Sequence, residues 1–405
     1  MTKRVAEVVV SRQGSEAARR GHPWLWRQAI VRGADRLEAG EEVQIVAEDG
    51  VAMGRAIADP VSPIALRMWT AGRTPIDDAL VRERLTQAFA VRSRLFADGR
   101  TNAYRLLNGE GDRCPGFVVD RYGDVAIVRV DGDGAAAQLG RVAPLFIEAL
   151  VAMGVCTVVH RLVVKKRDKP ERAAPGAARP PESATLHGPP PPDTIEVREH
   201  GVPFVVDLAR GQKTGAFLDQ RENRRRVGEL ARDRRVLNLF SYAAGFSLHA
   251  ALGGATRVTS VDIAASAHAT AQASFRIAGV DPAKHAFVTA DAFAFLASAK
   301  QRKETWDLVI SDPPSFAPSE KALARALSAY RALHRACVDV LAPRGIFCAS
   351  SCSSHVDAER FASTLDDAAL GGAPLRLLEL HGSPADHPTV PAWPEGRYLK
   401  FAVLE

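Results

Sequence analysis

The chain has 405 residues, of which 46% are hydrophobic and 25% are charged, and this ordinary globular usage excludes a wholly disordered or fibrous protein. At about 150 residues per domain, the length predicts two to three domains. The 53 basic and 47 acidic residues leave a net charge of +6, which permits a polyanionic partner without establishing one.

The cysteine pattern argues against a disulfide framework and against a metal site. The five cysteines are an odd number and contain no CxxC pair, which is typical of a reducing cytoplasm. One charge-free stretch, 236–256, is long enough to be tested as a membrane span. It contains polar residues and three glycines, so it fits a strand, a turn and a helix better. We therefore predict a cytoplasmic protein with no metal and no membrane segment.

Residues 1–71 predict a small β-rich barrel. Short apolar runs at 5–10, 42–46 and 64–68 are strand candidates, and glycines and prolines separate them. A run of basic and indole side chains lies between the first two strands. Cations bind phosphates and aromatic rings stack on bases, so this run suggests RNA binding. Its RNA-binding candidates are Arg20, His22 and Trp24. The alternative is that the tryptophans are core residues and the arginines are merely solvated.

Residues 72–164 predict a middle α+β domain. Apolar residues recur at helical spacing in two stretches, and alternating runs lie between and after them. The expected order is helix, three strands, helix and strand, at 77–97, 103–107, 116–120, 125–130, 135–153 and 155–164.

Residues 165–194 predict a basic, Pro-rich loop. Between Arg161 and Arg179 there are seven basic and two acidic residues, a net charge of +5. Alanine, proline and glycine dominate the remainder, and such a composition cannot form a core. The loop is either an RNA-contacting arm or an inert insertion.

Residues 195–405 predict a doubly wound α/β sheet. Five short apolar runs alternate with helical stretches, which is typical of a parallel sheet covered on both faces. The runs lie at 236–240, 258–262, 285–289, 308–312 and 345–350. Ligands bind at the carboxyl ends of the strands in such sheets, so the residues after each run are the candidate site.

The residues after the first three runs predict a nucleoside-binding site. Small side chains after the first strand let the backbone approach a ligand, but a dinucleotide would need the G-x-G-x-x-G turn that is missing here. An acid after the second strand can accept both ribose hydroxyls, and one after the third is placed for adenine. The alternative for each acid is a helix cap. The cofactor-binding candidates are Asn238, Phe240, Ser241, Tyr242, Ala244, Gly245, Asp262, Ile263, Asp291 and Ala292.

In this order the strand-end residues resemble those of the class I S-adenosylmethionine-dependent methyltransferases, which implies that cofactor and a Rossmann-like fold. After the fourth strand, Asp312-Pro313-Pro314 resembles the motif with which nucleic-acid methyltransferases present acceptors to the target base. We therefore expect Asp312 and Pro313 to border the cofactor. Pro314, Ser315 and Phe316 are expected to border the base.

The residues after the fifth strand indicate a nucleophile. Carbon 5 of cytosine is not nucleophilic by itself, so its methylation requires a thiolate that adds to carbon 6. Ser351-Cys352-Ser353 resembles the nucleophile motif of RNA 5-methylcytosine methyltransferases, so Cys352 is predicted to be catalytic together with Asp312. The alternative, a buried small hydrophobe, fits Cys348 better. Many of these enzymes carry a second cysteine where Ser315 stands, so the base that removes the carbon-5 proton is undetermined.

Two further stretches, 211–224 and 385–400, narrow the resemblance to the large-subunit ribosomal RNA (cytosine-C5) methyltransferase family, which also has a PUA-like N-terminal domain. The resemblance implies that the first stretch borders the cofactor, and the basic residues that follow it (221–235, net +4) suggest RNA contacts. The alternative is a helix cap at Asp219 followed by a solvated basic face. The implied cofactor neighbours are Lys213, Thr214, Phe217 and Asp219, and the implied RNA contacts are Arg221 and Arg224.

The sequence thus predicts an enzyme that methylates carbon 5 of a cytosine in 23S ribosomal RNA. One alternative is a ribosomal RNA guanine ring-nitrogen methyltransferase without a nucleophile. A second is a non-catalytic RNA-binding factor for ribosome assembly. The modified nucleotide is not readable from the sequence, and a homodimer is left open.

Overall fold

The computed structural model describes residues 5–34, 36–162, 183–317 and 319–405. The chain divides into two compact units. The first consists of Met1–Ile195, Asp207–Ala216 and Ala385–Gly396, and the second of Glu196–Val206, Phe217–Pro384 and Arg397–Glu405.

The first unit begins with a six-stranded sheet. Its elements are β1 (Ala6–Val10), α1 (Arg12–Arg20), β2 (Trp24–Trp26), β3 (Ile30–Arg32), β4 (Glu42–Ala47), β5 (Ala52–Ala58) and β6 (Ile64–Ala71). The strand order is β2-β6-β5-β4-β1-β3, in which only β1 and β4 are parallel. Val8, Val43, Ile45 and Leu66 form its core. The sequence predicted β1, β4 and β6 but not α1, β2, β3 or β5.

A second sheet of five strands completes the first unit. Its elements are α2 (Asp78–Leu95), β7 (Ala103–Asn108), β8 (Phe117–Tyr122), β9 (Val125–Val130), α3 (Asp133–Ala152), β10 (Thr157–Arg161) and β11 (Ser183–His187). The order is β11-β10-β9-β8-β7. Leu85 on α2 and Phe146 on α3 pack in one core with Phe117 and Val128 of the sheet.

Strand β11 corrects the predicted extent of the loop at 165–194. Ser183–His187 pairs antiparallel with β10. Leu186 packs against the core of the first unit, and this contact stabilises the segment as a strand. The proline-rich composition of the surrounding sequence gave no sign of it. The first part of the predicted loop, 165–182, lies outside the described residues.

Helix α3 is long and apolar enough to cross a membrane by length and composition alone. Its apolar side chains are part of the core described above, and Val142 and Leu150 on it are fully buried. Two of its charged residues pair with α2, since Arg141 binds Asp78 at 2.7 Å and Glu148 binds Arg82 at 2.5 Å. These contacts are those of a core helix.

The second unit contains a seven-stranded sheet covered by helices. In chain order, a hairpin and the sheet elements are β12 (Thr194–Glu199), β13 (Val202–Asp207), α4 (Arg221–Leu230), β14 (Arg235–Leu239), α5 (Gly245–Leu252), β15 (Arg257–Asp262), α6 (Ala265–Ile277), β16 (Ala286–Thr289), α7 (Ala292–Gln301), β17 (Trp306–Ser311), α8 (Leu323–Val338), β18 (Leu341–Ser351), α9 (Ala358–Ala362), β19 (Leu377–His381) and β20 (Lys400–Leu404). The sheet order is β16-β15-β14-β17-β18-β20-β19.

The five strands predicted from the sequence, β14 to β18, are parallel, which confirms the α/β prediction. The antiparallel strand β20 was not predicted. Buried side chains such as Leu237, Val309 and Phe347 form cores on the sheet. The strand order reverses between β14 and β17, and ligands of open α/β sheets bind at such a switch point, outside the carboxyl ends of the strands.

Candidate active site

The loop after β14 has a strained backbone. Phe240, Tyr242 and Ala244 have φ angles of 57°, 47° and 57°, a left-handed conformation that non-glycine residues rarely adopt. Hydrogen bonds to the neighbouring strand hold it, since Ser241 N donates to Val261 O at 3.0 Å. Such strain concentrates at ligand sites, where the surrounding structure stabilises it.

Asp262, at the end of β15, fixes this loop. Its Oδ2 accepts from Tyr242 N at 2.7 Å and its Oδ1 from Ala264 N at 2.8 Å. A carboxylate has about four acceptor positions, so two backbone amides orient it without saturating it. Ile263 beside it is 75% exposed. The pair presents hydrogen-bond acceptors next to an apolar side chain, as a nucleoside requires.

Asp291, after β16, is a helix cap. Its Oδ1 accepts from Ala294 N at 2.9 Å and it begins α7. The carboxylate is exposed, whereas Ala292 is buried. The capping alternative is therefore correct, and contact of either residue with adenine stays a prediction.

The structure corrects the roles of Asn238 and Ala244, which have no exposed surface. A ligand touches only atoms that solvent can reach, so neither contacts the cofactor directly. The Asn238 amide donates to Ser247 Oγ at 2.9 Å inside the sheet–helix layer. Packing explains the glycine at position 245, because a Cβ there would lie 2.8 Å from the Arg224 side chain.

Asp312, after β17, is positioned by a residue that the sequence analysis did not select. Gln220 is buried, and its amide donates to Asp312 Oδ1 at 3.0 Å and to Ser350 Oγ at 2.9 Å. The Gln220 Oε1 in turn accepts from Asn223 at 2.6 Å. Gln220 stands in the stretch that carried the family resemblance, which was the only signal for it.

The motifs after β17 and β18 lie together. Ser315 Oγ and Ser353 Oγ are 2.9 Å apart, and Tyr330 OH hydrogen-bonds Ser351 at 2.9 Å and Ser353 at 3.1 Å. Pro314 and Ser315 are exposed, Pro313 is buried, and Phe316 packs at 4.8 Å from the Tyr330 ring. This hydroxyl cluster surrounds the position of Cys352, and Tyr330 on α8 had no sequence signal.

The cysteines differ in accessibility. Cys114, Cys337 and Cys348 are buried, and burial raises the thiol pKa of the first two to about 12 and that of Cys348 further. Cys156 is exposed and Cys352 is half-buried. Cys352 is thus the accessible thiol at the carboxyl edge of the sheet, as predicted, and Cys348 has the buried role that was expected of it. Within the described ranges, no group of three or more His, Cys, Asp or Glu side chains could hold a metal ion.

The stretch 213–220 is divided between the units. In the first unit Thr214 is buried and its hydroxyl donates to Asp120 Oδ2 at 2.6 Å, so it anchors the chain there and is not an open cofactor contact, which corrects its prediction. Lys213 remains a predicted cofactor neighbour. In the second unit, the Phe217 ring lies edge-on to Tyr242 at 5.5 Å. Asp219 Oδ2 accepts from Tyr398 OH at 2.6 Å.

The predicted RNA contacts of Arg221 and Arg224 are wrong. Their exposed fractions are 2% and 7%. Arg224 donates to both carboxylate oxygens of Glu199, at 2.9 and 2.5 Å, and to Phe217 O at 2.9 Å. A guanidinium buried in this way requires its counter-charge and is not available to phosphates.

The basic and indole run in the first unit has structural partners. Trp24 donates to Glu110 at 2.8 Å, and its ring packs edge-on against Trp393 at 5.1 Å. Trp24 is nevertheless only half-buried, so its contact with RNA stays a prediction. His22 lies 3.3 Å from Glu395. Arg20 is exposed in the last turn of α1, and its contact with RNA stays a prediction.

The fold and the strand-end site are those of an α/β methyltransferase, and comparisons with known proteins agree. The model of a family described as S-adenosylmethionine-dependent methyltransferase matches residues 158–399, and that of a PUA-like domain matches residues 8–71. The chain therefore belongs to the S-adenosylmethionine-dependent methyltransferase family.

Its relatives in this family include curated proteins of the same length. It is 33% identical to a protein of Alteromonas mediterranea named ribosomal RNA large subunit methyltransferase I, over 99% of this chain and 98% of that one. It is 38% identical to a ribosomal RNA large subunit methyltransferase of Deinococcus radiodurans, over 98% and 96%. A methyltransferase solved in complex with S-adenosylhomocysteine is 25% identical, covers 99% of this chain and 100% of its own, and has a TM-score of 0.86.

The predicted cofactor, S-adenosylmethionine, is confirmed, and the residues at the sheet edge fit it. We expect Asp262 to accept from the ribose hydroxyls and Ile263 to pack against adenine. We expect the Asp312 carboxylate to attract the positively charged sulfonium group. Because this cofactor has no phosphate, the loop after β14 does not need the glycine turn of dinucleotide-binding proteins.

Proposed function

We propose that this enzyme methylates carbon 5 of a cytosine in large-subunit ribosomal RNA, and that Cys352 is the nucleophile. The names of the relatives, which match nearly the whole chain, support ribosomal RNA as substrate. The PUA-like domain supports RNA binding.

One observation carries the cytosine chemistry. Cys352 is half-buried directly after β18, and its neighbour Ser353 hydrogen-bonds Ser315 of the motif after β17 at 2.9 Å. A thiol is thus placed beside the motif expected to hold the base. Methylation of an exocyclic amine or of a ring nitrogen needs no such group, because those nitrogens carry their own electron pair.

Each side chain has a defined task in the proposed reaction. A cytosine flipped out of its stack binds between Pro314 and Phe316, and the Asp312 carboxylate accepts a hydrogen bond from its exocyclic amine. The Cys352 thiolate forms a bond to carbon 6, and the electron pair of the C5=C6 bond becomes available at carbon 5. The cofactor supplies an electrophilic methyl group to that carbon. Transfer of the carbon-5 proton to a water molecule then returns the electron pair to the ring and expels the thiolate.

Methyl transfer to unmodified ribosomal RNA tests this proposal. The enzyme is incubated with cofactor tritiated in its methyl group, and the labelled nucleoside is identified after digestion. We expect label in 5-methylcytidine. Cys352→Ala should lower the rate by at least about 1,000-fold, because an unassisted carbon 5 does not attack.

The exposed thiol supplies a matched control. Cys156→Ser should retain full activity, which separates the loss of one thiol from the loss of the nucleophile. Near-full activity of Cys352→Ala with label in guanosine would instead indicate ring-nitrogen methylation. Failure to bind S-adenosylmethionine in isothermal titration would indicate an assembly factor.

A further inference from the structure

The strand next to the nucleophile carries a buried lysine. Strand β20 pairs antiparallel with β18, and Lys400 is the partner of Ser351 in that register. Lys400 therefore lies opposite the residue that precedes Cys352, although Lys400 and Ser351 are 49 positions apart in the chain.

The amino group of Lys400 is fixed at the turn that holds Cys352. Its Nζ donates to Ser353 O and to Tyr398 O, both at 2.7 Å, and the residue is only 3% exposed. Two carbonyl acceptors offset only part of the free-energy cost of burying a charged amino group. A buried ammonium also requires a negative charge nearby.

The groups that face Lys400 supply that charge. Burial lowers its pKa to about 8, whereas the nearby Cys352 and Asp357 act to raise it. Tyr330, a further titratable group at this cluster, has its pKa raised by burial, so it stays neutral. Near pH 7 Lys400 is therefore mostly protonated beside a thiol, in surroundings where partial burial strengthens charge–charge attraction.

We propose that the Lys400 ammonium stabilises the thiolate form of Cys352 and is the positioning residue that makes this thiol nucleophilic at neutral pH. The proton leaves the thiol for solvent, and no bond to Lys400 forms or breaks. The use of the thiolate in methyl transfer rests on the proposed function, but the thiolate itself can be measured without any RNA.

Alkylation of the native protein by iodoacetamide tests the proposal, because only thiolates react. Mass spectrometry follows Cys352 and, as an internal reference, the exposed Cys156 from pH 5.5 to 9.5. We expect the midpoint for Cys352 to lie at least one pH unit below that for Cys156. An equal or higher midpoint for Cys352 overturns the proposal, and this measurement needs no substitution that could disturb folding.

Two variants identify the source of the charge. In Lys400→Met the alkylation rate of Cys352 at pH 7 should fall about tenfold, the equivalent of one pH unit. Lys400→Arg keeps a cation and should retain most of the rate, which a purely structural role would not explain. If the native midpoint is low but Lys400→Met leaves it unchanged in a protein whose Cys348 stays unreactive, another group stabilises the thiolate and the proposal is wrong.

The two proposals fail separately. A low midpoint that depends on Lys400, together with an active Cys352→Ala enzyme, would retain the thiolate and remove covalent catalysis. A normal midpoint with an inactive Cys352→Ala enzyme would retain covalent catalysis and remove the role of Lys400 in stabilising the thiolate.

Discussion

Asp262 connects the loop after β14 with the end of β15. Its two oxygens each accept from a backbone amide, Tyr242 N and Ala264 N. A neutral alanine would remove these bonds and the acceptors offered to ribose. Since hydrogen bonds to charged groups are worth about 1.5–3 kcal/mol each, we expect Asp262→Ala to weaken S-adenosylmethionine binding by at least about tenfold in isothermal titration.

Asp281 provides the control for this substitution. Like Asp262, it is an acid whose carboxylate accepts from a backbone amide, since its Oδ1 accepts from Ala283 N at 3.0 Å. Asp281 caps a short helical turn and does not follow a strand at the carboxyl edge of the sheet. Asp281→Ala should bind the cofactor normally. Unchanged affinity in Asp262→Ala would place the ribose elsewhere.

At the residue scale, the acids and thiols of the site were easier to predict from the sequence than the residues that position them. Asp312 and Cys352 stand at the ends of predicted strands, within stretches that resemble known motifs, so chain position and motif together located them. Gln220, Tyr330 and Lys400 come from elements remote in the chain, and only the tertiary fold brings them to these side chains. A polar residue within a helix or at the start of a strand carries no pattern of its own.

At the element scale, prediction succeeded where burial imposes a pattern. The parallel strands β14, β15, β17 and β18 are mostly buried, so each contains a short apolar run, and β16 is a half-buried edge strand with an apolar run of its own. All five were recognised. Strands β2 and β3 have three residues each, too few to show alternation. Helix α1 is mostly polar, and its start is fixed by Ser11, whose Oγ accepts from Gly14 N at 3.3 Å.

Helix α4 is held to β12 by a buried ion pair. Arg224 donates to both oxygens of Glu199, and the two side chains are 8% and 1% exposed. Removing one partner leaves an uncompensated buried charge, so Glu199→Ala should lower the free energy of unfolding by about 3–5 kcal/mol in urea titration.

A double substitution separates this charge from packing. Glu199→Leu combined with Arg224→Met removes both charges and should recover much of the loss, since apolar pairs often replace buried ion pairs without cost. If the double variant is as unstable as Glu199→Ala, then shape rather than charge determines the fit of α4. The surface pair Arg225–Glu229, at 2.6 Å, is the control, and its removal should cost under about 1 kcal/mol.

At the scale of the whole molecule, two buried histidines make the second unit sensitive to acid. Burial lowers the pKa of His249 to about 3 and that of His334 to about 4. The unfolded chain therefore binds more protons than the folded one below pH 6.5. Their contribution is present above that pH and is lost as the pH falls towards 4, by about 1.4 kcal/mol per unit for each histidine.

Urea unfolding of the protein at pH 7, 6 and 5 measures this loss. His334→Gln removes one titrating group while keeping a donor for Thr364 O, which lies 3.0 Å from His334 Nδ1. The slope of stability against pH should fall by up to about 1.4 kcal/mol per pH unit in this variant, the contribution of one histidine. An unchanged slope in His334→Gln would contradict the assignment.

The net charge of +6 is also a property of the whole molecule. The structure shows which of its arginines are exposed and can therefore reach RNA phosphates. Arg221 and Arg224 are buried, whereas Arg19 and Arg20 are exposed in the last turn of α1 in the PUA-like domain. Arg12 on the same helix already has a partner, since it lies 3.1 Å from Glu16. We therefore expect RNA binding to depend on the first pair and not on Arg12.

Filter binding of ribosomal RNA at several salt concentrations tests this expectation. An arginine that no longer neutralises a phosphate should reduce the slope of log affinity against log salt by about 0.7–0.9, because fewer counterions are released. Replacing both Arg19 and Arg20 by Gln should therefore reduce the slope by about 1.5 and weaken binding at low salt. Arg12→Gln should retain the original slope, because its guanidinium is neutralised by Glu16. Equal slopes for all three proteins would show that RNA reaches the enzyme over another surface, and the PUA-like domain would then have to bind by base contacts or not at all.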